Sequence, residues 1–128
     1  MNLSSVRLVC RELKSQVAFY EALTGLTARW LAEEFAEIST AACALAFTSE
    51  NAIKQFQNGV AHGADNHSVI VEFRVDDVDA VFSRASGQVV QPPTTMPWGN
   101  RSLLIRDPEG TLINFFAPVT DAAKKRFS

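Results

Sequence analysis

Ser5-Val6-Arg7-Leu8-Val9-Cys10, followed by Leu13 and Val17, has a second copy further along the chain: a shift of 65 residues carries Val6, Leu8, Cys10, Leu13 and Val17 onto Val71, Phe73, Val75, Val78 and Phe82. In the first copy Val6, Leu8 and Cys10 alternate with Ser5, Arg7 and Val9, the period of a strand whose two faces differ. In the second, Val71, Phe73 and Val75 alternate with Ile70, Glu72 and Arg74. Each strand gives way to apolar residues at helical spacing. Leu13, Val17, Tyr20 and Leu23 predict a helix over 14–23 closed by Gly25, and Val78, Val81, Phe82 and Ala85 predict one behind the N-terminal acids Asp76 and Asp77, followed by Gly87. One unit is written twice.

Outward from these two copies the remaining elements fall into parallel order. After the first helix come three strands, about 26–31, 35–40 and 43–48. After the second come Val89 to Gln91, a break at Pro92-Pro93, a strand over 101–106, the turn Asp107-Pro108-Glu109-Gly110, and a strand over 112–117. In that turn Pro108 fixes φ and Gly110 supplies freedom to enter the next strand, a structural role. Residues 49–66 are polar, contain Gly59 and Gly63, and lack periodicity, as a surface linker or flap would. The reading is an α+β domain over 1–128, with one βαβββ unit at about 1–48, the linker at 49–66, a second unit at about 67–118 and a tail at 119–128 that adds a helical turn or two. In each unit a helix covers the apolar face of a mixed sheet, and Trp30 and Phe47 read as core.

Composition narrows the function classes. The chain is 47% hydrophobic and 20% charged with a mean hydropathy of +0.02, which suits an ordinary globular protein of 128 residues with one core's worth of apolar surface. Twelve basic against fourteen acidic residues give a net charge of -2, and no basic run exceeds Lys124-Lys125-Arg126. That leaves no electrostatic footprint for nucleic acid. No apolar window approaches the ~18 residues of a membrane span, no targeting segment stands at Met1 to Cys10, and Cys10 and Cys43 form no CxxC. A cytoplasmic protein without membrane partners is expected.

The tandem βαβββ order, Phe19-Tyr20 on a helix followed by Gly25, and Trp98-Gly99 ahead of Arg106-Asp107-Pro108-Glu109-Gly110 and a last strand resemble the vicinal oxygen chelate superfamily of glyoxalases, extradiol dioxygenases and bleomycin or fosfomycin resistance proteins. The resemblance implies two sheets curled around a cavity, commonly in a homodimer. It also implies four metal-ligand positions, which carry over to Ser5, Ala46, Ile70 and Asn114. Divalent ions take carboxylate or imidazole donors, and this set provides none. His62 falls in the linker and His67 on the opposite strand face, so no metal and no cofactor are expected.

Strand parity sets Arg7, Glu72 and Asn114 on the face of the vacated positions, where Arg7 would anchor an anionic or carbonyl group and Glu72 would set its rotamer or accept from the ligand. A plain structural Arg–Glu pair is the alternative. Trp98 and Arg101, beside Pro97 and Gly99, would edge the cavity and stack on a planar ligand. No nucleophile has an activating partner. The leading function is metal-independent binding of a small organic molecule, as in the resistance-type members. The alternatives are a glyoxalase- or dioxygenase-like enzyme with atypical ligands such as Glu72 and His67, and a metal-free enzyme with Glu72 as base.

Overall fold

Leu8 and Cys10 are buried with Val9 half-buried between them, while Val6 and Arg7 ahead of them are exposed, along strand β1 (Ser5–Cys10). In the computed structural model, which describes all residues from 1 to 128, the chain divides into two units: residues 1–66 with 108–110, and residues 67–107 with 111–128.

The first unit continues with α1 (Leu13–Thr24), β2 (Arg29–Ala32), β3 (Phe35–Ser39), β4 (Ala44–Ser49) and α2 (Glu50–Ile53). Its sheet has the order β1-β4-β3-β2, with β1 parallel to β4 and the other pairs antiparallel. A parallel pair needs a crossover, and α1 lies on the connection that leaves β1. The helix buries Gln16, Val17, Tyr20 and Leu23 as its inner stripe, and the Tyr20 ring lies 5.2 Å from that of Phe47 on β4. Gly25 ends the helix at a φ of 74° and donates its N–H to the Glu21 carbonyl.

The start of α1 is held from far away in sequence. Glu12 occupies the N-cap position without a side-chain bond of its own. Instead the two carboxylate oxygens of Glu109 accept from the N–H groups of Arg11 (2.8 Å) and the N-cap residue Glu12 (3.0 Å), pinning the two residues that lead into the helix. The Asp107-Pro108-Glu109-Gly110 turn thus has a second structural role besides reversing the chain.

The second unit repeats the plan with β5 (Ile70–Arg74), α3 (Val78–Arg84), β6 (Gln88–Thr95), β7 (Asn100–Arg106), β8 (Leu112–Pro118) and α4 (Asp121–Arg126). Its sheet order, β5-β8-β7-β6, is that of the first unit element for element. Asp77 caps α3 by accepting from Ala80 N–H at 3.0 Å, and Val78 and Val81 are buried. Phe73 stacks on Phe115 at 5.3 Å between centroids, above a core of Leu103, Ile105 and Ile113. At Gly99, with φ at 95°, a Cβ would overlap the Thr120 hydroxyl that caps α4, so only glycine lets the chain pass there.

Several expectations need correction. Pro92-Pro93 does not end a strand: β6 runs through both prolines, with register shifts on either side of Gln91. It is an edge strand, where a missing N–H removes no partner's bond. The strand expected at 26–31 begins only at Arg29, because Glu21 accepts from Ala28 N–H at 2.8 Å and ties the preceding residues to α1. Trp30, read as core, is 42% exposed, since β2 is likewise an edge strand. The polar 49–66 segment contains the short helix α2, capped by Ser49, whose Oγ accepts from Ala52 N–H.

Candidate functional site

Arg7 projects from β1 on the face opposite Leu8 and Cys10. The register places it directly beside Ala46 of β4, whose methyl leaves the space around the guanidinium open. A cavity of about 550 Å³ lies here within the first unit, lined by Arg7, Phe35, Thr48, Ala52, Gln55 and Phe56 together with the β2–β3 turn at Ala32, Glu33 and Glu34. The size is that of a pocket for a small organic ligand.

Two rings flank the cation. The Arg7 Cζ lies 4.9 Å from the centroid of Phe35 and 5.5 Å from that of Phe56, within the range of cation–π attraction. Phe35 is placed by β3, and Phe56 follows α2, its N–H donating to the Ile53 carbonyl at 3.0 Å. The guanidinium makes no ion pair: the salt bridges are those of Arg11 with Glu50, Arg29 with Glu37 and Arg101 with Asp79. Glu34, by contrast, is fully engaged. Its carboxylate accepts from Ser49 Oγ at 2.9 Å and Asn51 Nδ2 at 3.2 Å, and its carbonyl accepts from Thr48 Oγ1 at 3.4 Å.

The other residues singled out in the sequence lie in the second unit. Glu72 and Asn114 are cross-strand partners on β5 and β8, and Asn114 Nδ2 donates to Glu72 Oε2 at 2.7 Å. The Glu72 carboxylate is thereby oriented by Asn114, while Asn114 Oδ1 is buried with no partner. Arg101 is held by Asp79 of α3 through two bonds of 2.8 Å, from Nε and Nη2. This fork holds the Asp79 carboxyl below its ordinary value of 3.8, first by the hydrogen bonds and then by the charge of Arg101. Arg101 is therefore occupied in joining β7 to α3. Trp98 is 60% exposed, and neither it nor Arg101 is among the residues lining the cavity around Arg7. Sequence reading missed Phe35 and Phe56. For Phe56 the one available signal was a large apolar residue in an otherwise polar segment.

Of the four metal-ligand positions that the resemblance implies, Ala46 has Arg7 as its register partner and Asn114 has Glu72, while Ser5 lies beside Ala44 and Ile70 beside Leu112. In the first unit the pair is a guanidinium and a methyl group. In the second it is one carboxylate already bonded to an amide. Neither pair is a donor set for a divalent ion, and no group of three or more His, Cys, Asp or Glu side chains converges anywhere in the chain. The metal of the metal-dependent relatives does not fit these residues. No helix is long and apolar enough to cross a membrane.

No curated protein matches this sequence. Among solved structures, a glyoxalase/bleomycin resistance protein/dioxygenase from Nocardioides superposes with a TM-score of 0.76 at 21% identity, over 94% of this chain and 85% of the other. A glyoxalase/bleomycin resistance protein/dioxygenase family enzyme from Burkholderia phytofirmans PsJN gives a TM-score of 0.83 at 18% identity, over 93% and 100%. Lactoylglutathione lyase from Agrobacterium tumefaciens gives 0.69 at 19% identity, over 90% and 92%. At these identities the likeness establishes the fold. The sequence itself matches a family model over residues 2–115, and with the repeated β-α-β-β-β order this places the chain in the Glyoxalase/Bleomycin resistance protein/Dioxygenase superfamily.

Proposed function

We propose that this protein binds a small organic molecule without covalent chemistry and without a metal ion, in the cavity of the first unit around Arg7. The observation that carries the reading is the Arg7 guanidinium: a charge with no acidic partner, set against two aromatic rings in a cavity of about 550 Å³. Arg7 is exposed, so water serves its donors without a desolvation cost, and no carboxylate is paired with it. A binding arginine keeps its donors for the ligand. The chemistry of the paired strand positions argues the same way, since Arg7 and Ala46 offer nothing to a divalent ion.

A thermal-shift screen of small organic molecules tests the reading. Hits are expected to lose affinity at least tenfold in Phe56→Ala, which leaves the buried core untouched because Phe56 is exposed. Chelator treatment is expected to leave binding unchanged. Hits insensitive to Phe56→Ala and Arg7→Met, or lost with the chelator, would overturn it.

The same reading takes the functional form to be a homodimer. Both sheets end in edge strands, β2 and β6, that carry exposed apolar side chains such as Trp30, Leu31, Val89 and Val90, and pairing or covering such edges is the usual remedy.

A further inference from the structure

We infer that the Arg7 cavity selects a singly charged carboxylate carried on a flat apolar body, an inference that rests on the binding function proposed above and narrows it to one chemical class. Three observations converge. The first is the state of the fork. The five N–H donors of a guanidinium form a planar fork, and Arg7 commits none of them to an ion pair, while Phe35 and Phe56 contact the cation with ring centroids 4.9 and 5.5 Å from Cζ. A planar two-oxygen acceptor meets that fork with two parallel bonds.

The second observation is charge. Phosphate also suits a guanidinium fork, but Arg7 is the one cation of the lining, and Glu33 and Glu34 are two acids. One positive and two negative groups leave the wall at a formal -1. A phosphate monoester, with close to two negative charges, meets this wall with more repulsion than a carboxylate does. Ser49 and Asn51 hold the Glu34 carboxylate in place, so it does not swing away to relieve that repulsion.

The third observation is the wall beyond the fork. The rings of Phe35 and Phe56 and the methyls of Ala32 and Ala52 offer apolar surface next to the cation. An aryl group joined directly to the carboxylate would rest on this surface while its oxygens reach Arg7.

The test is calorimetric titration with three probes that share a body and differ in head group: 2-naphthoate, 2-naphthamide and 2-naphthyl phosphate. The wild type is expected to bind the carboxylate at least tenfold more tightly than either of the others. Arg7→Met should erase that preference, and Arg7→Lys should retain only part of it, because an ammonium supplies charge without the fork. If the phosphate binds as tightly as the carboxylate, selection of a singly charged head group by the cavity is refuted. If the amide does, and its binding still falls in Phe56→Ala, the cavity remains a binding site while its carboxylate selectivity is refuted. Absence of binding by all three refutes the carboxylate class and leaves the broader screen to judge the function.

Discussion

Gly63 sits where the loop after α2 crosses the β1–α1 junction, and its N–H donates to Glu50 Oε1 at 2.6 Å. A Cβ there would stand 2.5 Å from Arg11 N, 2.7 Å from Arg11 Cγ and 2.9 Å from the Cys10 carbonyl carbon. Backbone cannot step aside as a flexible side chain can, so Gly63→Ala should destabilise the fold by about 1–3 kcal/mol in chemical denaturation, the scale of overpacking. The same loop carries Phe56, so the substitution should also weaken ligand binding. Asp79 gives a different residue-scale outcome. Its carboxyl is held below 3.8 in the folded state, so the stabilisation from Arg101 is complete above that pH and is lost as pH falls through the lowered value. Asp79→Asn should therefore melt below wild type at pH 6, with the gap closing toward pH 2, and high salt should shrink it at every pH because the pair is exposed. At this scale, Arg7 was legible because strand parity alone set it opposite Leu8 and Cys10. Its aromatic neighbours were not, because Phe56 reaches the cavity through the path of a loop that has no periodicity to read.

Among the elements, α1 depends on a carboxylate outside its own sequence neighbourhood. Glu109→Ala removes both acceptors for Arg11 and Glu12 N–H and should cost about 1–2 kcal/mol, the scale of losing exposed hydrogen bonds to a charged acceptor. Amide exchange at Arg11 and Glu12 should rise in that variant before exchange in the middle of α1 does. Unchanged protection at those two amides would show that water replaces the carboxylate without loss. Helices α1 and α3 and most strands were readable from periods of 3.6 and 2, whereas α2 lies in a segment read as an aperiodic linker. The extent of β6 was not, because Pro92-Pro93 signals a break, and only its place at the sheet edge explains why the strand continues. The role of Glu109 was equally hidden, since nothing local links a turn residue to a helix 97 residues earlier.

For the whole molecule, the duplicated pattern at a shift of 65 was enough to expect two sheets of one plan, and the orders β1-β4-β3-β2 and β5-β8-β7-β6 match it. What the repeat did not convey is how far the two copies have parted chemically. Equivalent strand positions hold Arg7 with Ala46 in one unit and Glu72 with Asn114 in the other, so the duplication preserved packing and let charge diverge. Sedimentation at micromolar concentration should give twice the chain mass of 14.0 kDa, and a strict monomer would refute the dimer. The clamp from Glu109 bears on the order of events during synthesis. Its bond to Arg11 spans 98 residues, so a nascent chain leaving the ribosome can lay down β1 through β4 long before the carboxylate that finishes the start of α1 has been made. The first half of the chain would wait with one helix end frayed until the last strands emerge, which ties completion of the earlier half to arrival of the later one.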